Sequence, residues 1–196
     1  MLAAECTDLL KRKIDALCAP GHKGLLGPQG CGLFILNGEL RLDPLTEGGS
    51  GVHSLDPEMP EERPERYEAG TLPTPAIAGL LEGIKEVKRI GVDRIGEQIA
   101  DLNAYLLEQL KRIPGVTVYA PEHRGSILLF NKEGIPSETV GQKLSELGFC
   151  VRAGYHCSAL GHTTLATPDG GAVRISPGIY NTRAQMDALA TAIETL

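Results

Sequence analysis

Apolar residues recur along this chain in two rhythms. Ile77, Leu80, Leu81, Ile84 and Val87 repeat at three- and four-residue spacing, which predicts a helix over 75–90. Ile95, Ile99, Leu102, Leu106 and Leu110 mark one face of a second helix over 92–112, ended by Pro114-Gly115. Further helices are expected over 136–147 and 183–196. Short apolar runs bounded by turn residues predict strands at 14–18, 33–36, 116–119, 126–130, 149–152 and 172–176. The segment PEHRG reads as the turn joining the third and fourth of these.

From residue 72 onward the order is α, α, β, β, α, β, loop, β, α. That predicts an α/β sandwich, a small sheet with helices packed on it. The first part is different. Two strands joined by a Gly/Pro loop cannot bury their own faces, so something else must cover them. Residues 43–70 are polar and rich in Gly, Pro and Glu with no periodicity, and read as a long loop that is functional or disordered.

Composition narrows the function classes. The chain has 196 residues with 42% hydrophobic and 22% charged, which argues against disorder and suits one or two domains. No apolar run approaches the roughly 20 residues that cross a bilayer. The start carries Glu5 and Asp8 without an apolar core, so no membrane span and no secretory signal are expected. A formal net charge of −6 and 4% aromatic residues argue against a nucleic-acid partner. The five cysteines, Cys6, Cys18, Cys31, Cys150 and Cys157, are odd in number and lack a C-x-x-C pair. Reduced thiols in the cytoplasm are the expectation.

Four segments carry candidate chemistry. In Gly21-His22-Lys23-Gly24 a lysine sits on a turn after an apolar run. It is either an exposed loop lysine or an amine partly desolvated between apolar stretches, which lowers a lysine's pKa and frees it to form a Schiff base. Gly48-Gly49-Ser50-Gly51 can aim several N–H groups and a hydroxyl at an anion, or serve as a flexible linker. In Arg152-Ala153-Gly154-Tyr155-His156-Cys157 a cysteine enters a loop near a cation, which favours thiolate over thiol, or it is a buried inert thiol. On an extended segment His156 and Cys157 would point opposite ways. Cys157 with His156 and His162 meets no zinc spacing, so no metal is expected. Arg174, mid-strand between apolar neighbours, needs an anion: a ligand carboxylate or a structural Asp or Glu.

In order, GHKGLLGPQG, EGGSG, RYEAGTLPTPAIAGL, VRAGYHC and VRISPGIYNT resemble the C-terminal half of a class V aminotransferase-like enzyme, nearest the cysteine desulfurase and selenocysteine lyase branch. The resemblance spans about 14–196. It implies the α/β architecture of the pyridoxal-phosphate-dependent transferases of fold type I, here the end of the large-domain sheet plus the small C-terminal domain. The implied division is an unmatched 1–13, a cofactor-binding remnant 14–71 and a small α/β domain 72–196.

By position, Lys23 resembles the Schiff-base lysine and His22 its neighbour, while Gly48, Gly49, Ser50 and Gly51 resemble the loop that reaches a phosphate across a homodimer. Arg174 is similar to the arginine that grips the substrate α-carboxylate, with Arg152 supplying positive potential. Cys157 matches the cysteine that takes the sulfur of L-cysteine, or selenium of selenocysteine, leaving alanine and a persulfide for an acceptor protein. A transaminase or lyase that does not use Cys157 fits Lys23 and Arg174 equally.

The resemblance also implies a chain about twice as long, whose first half supplies a ring stacked on the pyridine and an acid paired to its nitrogen. Neither has a counterpart here, and Pro20 stands where a hydroxyl residue is common. A truncated enzyme, or a half-subunit needing a separate N-terminal polypeptide, is therefore expected, with weak or no binding of pyridoxal phosphate by this chain alone.

Overall fold

A computed structural model describes residues 13–119 and 125–196. Most of the expected PEHRG turn, and all but the last residue of the unmatched N-terminal segment, lie outside them. The chain forms two compact units, Met1–Val92 and Asp93–Leu196.

In the first unit β1 (Ala16–Pro20) and β2 (Gly32–Leu36) pair antiparallel with Cys18 opposite Phe34. The apolar run read as a strand at 14–18 forms one at 16–20, and it is mostly exposed; only Ala19 is buried. The physical reason is that α1 (Thr74–Ile90) packs on the turn after β1. A Cβ at Gly27 would lie 2.8 Å from Leu80 Cδ1, and one at Gly83 would run into the carbonyl of Leu25. Cys31 Sγ donates to the Ala76 carbonyl at 3.3 Å. These contacts group α1 with the Lys23 turn, so the compact units divide after α1, whereas the expected boundary at 71/72 falls before it. Pro75 in the first turn and Gly91 at φ 94° bound the helix.

The long polar loop is ordered by one buried cation. Arg66 donates to the carbonyls of Leu42 and Pro60 and pairs with Glu61 at 3.2 Å. Arg63 donates to the Gly38 and Leu40 carbonyls, and Gly70 N–H closes the loop onto the Gly49 carbonyl.

The second unit is built from α2 (Val92–Leu110), β3 (Val116–Tyr119), β4 (Leu128–Lys132), α3 (Ser137–Glu146), β5 (Arg152–Gly154), α4 (Ala159–Thr164), β6 (Ala172–Ile175) and α5 (Arg183–Glu194). Its sheet runs β3-β4-β6-β5, antiparallel throughout. Leu106 and Leu110 of α2, Phe130 of β4, Val140 and Leu144 of α3, Val173 of β6 and Ile193 of α5 meet in one core at essentially zero exposure. This is the expected α/β sandwich. The side-chain oxygens of Thr182 and Gln185 reciprocally accept from each other's backbone N–H, which starts α5 cleanly.

Two elements differ from expectation. The apolar run 149–151 is not strand: Phe149 and Val151 pack on the core from a loop, and β5 begins at Arg152. Helix α4 was not expected because Gly161, Thr163 and Thr164 are weak helix formers. It forms around His162, which is 4% exposed. Among the described residues no helix is long and apolar enough to cross a membrane.

Candidate active site

The sheet of the second unit sets Arg152 on β5 directly opposite Arg174 on β6. Opposed residues of an antiparallel pair project from the same face, and like charges there repel. Arg174 Nε is buried with no hydrogen-bond partner. No described carboxylate forms an ion pair with Arg174, so the structural Asp or Glu allowed by the sequence is absent from the described residues. Among the described residues this pair of guanidiniums therefore lacks the anion that would satisfy both.

Beyond β5 the chain enters a tight turn closed by Ser158 N–H to the Tyr155 carbonyl at 2.9 Å. Its two central residues, His156 and Cys157, have φ of 54° and 58°. Both positive angles are the signature of a mirror-image turn, which for residues bearing a Cβ costs about 1–2 kcal/mol each. The expected extended geometry does not hold here. The turn leaves Cys157 exposed, with its Sγ 3.9 Å from an Arg152 terminal nitrogen. The buried-thiol alternative is thereby excluded.

His156 turns away from the sulfur. Its Nε2 lies 3.0 Å from the Arg152 carbonyl and its Nδ1 lies 3.1 Å from His162 Nε2. His162 Nδ1 in turn lies 2.9 Å from Thr167 Oγ1. Burial pushes the His156 pKa below 6.5; the bond to the Arg152 carbonyl works against this, while the charges of Arg174, His162 and Arg152 add to it. The buried His162 was visible in the sequence only as a poor metal ligand, because it sits on a helix that propensity does not predict. No group of three or more His, Cys, Asp or Glu among the described residues could hold a metal.

In the first unit Lys23 and His22 are both exposed on the turn after β1, so the desolvation considered for the lysine is not present. The turn itself is held by Gly21 N–H to the Cys31 carbonyl and Gly27 N–H to the Gly21 carbonyl. The Lys23 side chain makes no hydrogen bond or ion pair with a described residue. Ser50 Oγ is engaged locally with the Val52 carbonyl at 3.2 Å, while Gly49 and Gly51 face open space. No hydrogen bond among the described residues joins the 48–51 loop to the Lys23 turn. A cleft of about 620 Å³ in this unit is lined by Cys18, Phe34, Arg63 and Tyr67 and does not include Lys23.

The described residues form a mixed α/β architecture that matches about half the length of solved fold type I transferases, with paired arginines beside an exposed thiol in the second unit and a lysine turn in the first. The model of the class-V aminotransferase family matches residues 3–189, and the chain belongs to that family. A probable cysteine desulfurase of Methanothermobacter thermautotrophicus is 34% identical over 190 residues, covering 93% of this chain and 47% of that protein. A cysteine desulfurase of Salmonella agona is 34% identical over 174 residues, 86% of this chain and 42% of its own length. Among solved structures, an apo cysteine desulfurase of Thermococcus onnurineus superposes with a TM-score of 0.87 at 27% identity, over 98% of this chain and 49% of its own. The chain thus spans about half the length of the relatives it matches.

Proposed function

We propose that the chain acts in pyridoxal 5′-phosphate-dependent cysteine desulfuration, moving the sulfur of L-cysteine onto Cys157. The observation that carries this reading is the Arg152–Arg174 pair, short of an anion among the described residues and set beside an exposed sulfur. The amine of Lys23 has the chemistry to hold an aldehyde cofactor, and Gly49 and Gly51 leave room for an anion next to the Ser50 hydroxyl. Lys23 would hold pyridoxal phosphate covalently, His22 would stand beside it, and the loop Gly48, Gly49, Ser50 and Gly51 would take the phosphate. When bound, the cofactor supplies an electron sink at the substrate α-carbon.

The residues of this chain do the rest. Arg174 pairs with the substrate α-carboxylate through its planar fork, using the Nε that has no partner among the described residues. Arg152 keeps positive potential at the Cys157 sulfur. In the net reaction the substrate C–S bond breaks and an S–S bond forms at Cys157. The two sulfurs are oxidised by two electrons together, the substrate carbon is reduced by two, and the thiol proton ends on the methyl of alanine. The exposure of Cys157 suits onward delivery of this sulfur to an acceptor protein. The free thiols Cys18, Cys31, Cys150 and Cys157 suit a reducing compartment such as the cytoplasm.

The exposed Lys23 and the uncovered β1–β2 hairpin favour a second reading, in which a second polypeptide, a copy in a homodimer or a separate N-terminal half, must cover the first unit before turnover. One experiment addresses both readings. The chain is incubated with pyridoxal phosphate and L-cysteine, alanine is measured, and borohydride-treated protein is mapped by mass spectrometry. The first reading expects a reduced pyridoxyl group on Lys23, at the low occupancy that the missing ring and acid imply and absent in Lys23→Ala, and alanine formation lost in Cys157→Ser. The second expects alanine only when the covering polypeptide is added. Alanine formation that survives Cys157→Ser removes the thiol from the reaction.

A further inference from the structure

The carbonyl of Arg152 can only accept, so the His156 nitrogen facing it, Nε2, carries the proton. His156 Nδ1 is then an acceptor, and the nitrogen facing it, His162 Nε2, must donate. That leaves His162 Nδ1 to accept from the Thr167 hydroxyl. One backbone carbonyl therefore fixes the proton on every member of the chain. The turn it braces is the strained one that presents Cys157, and the carbonyl belongs to the residue whose guanidinium touches the sulfur.

We infer that His162 and His156 form a positioning clamp: the buried ring of His162 holds His156 on the Arg152 carbonyl, and this pins Cys157 in its left-handed turn beside the Arg152 guanidinium. Deepening the proposed function, it takes from that reading Cys157 as the reactive sulfur. His162 touches neither substrate nor sulfur and is a positioning residue. Its six-residue helix is tied to the same turn, through His162 N–H to the Ser158 carbonyl at 3.1 Å, and Tyr155 stacks edge-on against the His162 ring at 5.4 Å. Tyr155 Oη accepts from Gly170 N–H, which closes the turn from its other side.

The clamp has a defined failure. A proton added at His156 Nδ1 would face the His162 Nε2–H, donor against donor. The pair survives only if the His162 proton moves to Nδ1 and Thr167 Oγ1 becomes the acceptor. The charges acting on His156 come from Arg152 on β5, Arg174 on β6 and His162 on α4, and each opposes that added proton. Acidification therefore loosens the turn.

The test reads the thiol rather than turnover. The full chain is pulse-labelled with 4,4′-dithiodipyridine between about pH 5 and 8, and the Cys157/Cys150 labelling ratio is taken from peptide mass spectrometry. In the native chain this ratio is expected to drop about threefold or more as pH falls through the histidine range, because the sulfur leaves its cation. His162→Phe, which keeps a ring but cannot donate, lowers the ratio about fivefold or more at neutral pH. His162→Gln, whose amide can donate or accept, keeps the neutral ratio and flattens the pH profile. A folded Phe variant with the native ratio, or a Gln variant with the native profile, overturns the clamp. If the Phe variant does not fold, Thr167→Val decides: it removes the hydroxyl that would have to accept from His162 Nδ1 for the protonated pair to survive and must shift the midpoint of the profile, and an unchanged midpoint overturns the proposal. Alanine release, measured separately, distinguishes failure of the clamp from failure of the desulfurase reading.

Discussion

Arg152 and Arg174 stand opposite each other on adjacent antiparallel strands, and the Nε of Arg174 is buried without a partner among the described residues. A fold optimised for stability alone would not oppose two guanidiniums. Arg174→Met is expected to leave the second unit unchanged or to stabilise it by about 0.2–1 kcal/mol, since it removes a like-charge pair. The same variant should raise the KM for L-cysteine far more than it lowers kcat. Thermal melting and steady-state kinetics check the two halves of this statement.

Cys157 and Cys150 are both exposed, but only Cys157 has a guanidinium against its sulfur. After incubation with cofactor and L-cysteine, mass spectrometry should find an added sulfur atom on Cys157 and none on Cys150. Cys150→Ser should leave that adduct in place. An adduct found on Cys150 alone would contradict the assignment.

Because burial holds the His156 pKa below 6.5 in the folded chain, the unfolded chain takes up this proton first as pH falls. The stability tied to the neutral ring is therefore complete above that value and is lost as pH drops through it toward the folded-state pKa. Urea midpoints of the native chain should be lower near pH 5.5 than near pH 7.5. The difference should shrink in His156→Gln.

Leu106 is fully buried at the centre of the second core, and Leu106→Ala should cost about 2–5 kcal/mol by loss of packing and creation of a cavity. Thr182→Ala breaks the reciprocal cap of α5 and should cost about 1 kcal/mol. Denaturant titration followed by circular dichroism measures both.

Gly83 lets α1 approach the carbonyl of Leu25 beneath the Lys23 turn. Gly83→Ala should destabilise the first unit by about 1–3 kcal/mol through overpacking. Limited proteolysis should then cut the 21–30 loop faster, while the second unit stays resistant.

Local sequence was enough where a period repeats over many residues. The spacing of Leu102, Leu106 and Leu110 foretells α2 and its buried face, and the ordered motifs around Lys23, Cys157 and Arg174 carry the family, since each depends on neighbours close in the chain. Short apolar runs were ambiguous. Phe149 and Val151 are apolar because they cover the core from a loop, and 16–20 form a strand that stays largely exposed. The polar loop 43–70 gave no hint that Arg66 would bury itself against Leu42 and Pro60 and order it. Only tertiary structure decided that Arg152 opposes Arg174, that His156 and Cys157 adopt left-handed angles, and that His162 is buried against both the turn and Thr167. Register and burial are set by partners distant in sequence, and no local pattern encodes which partner a strand residue or an imidazole will meet.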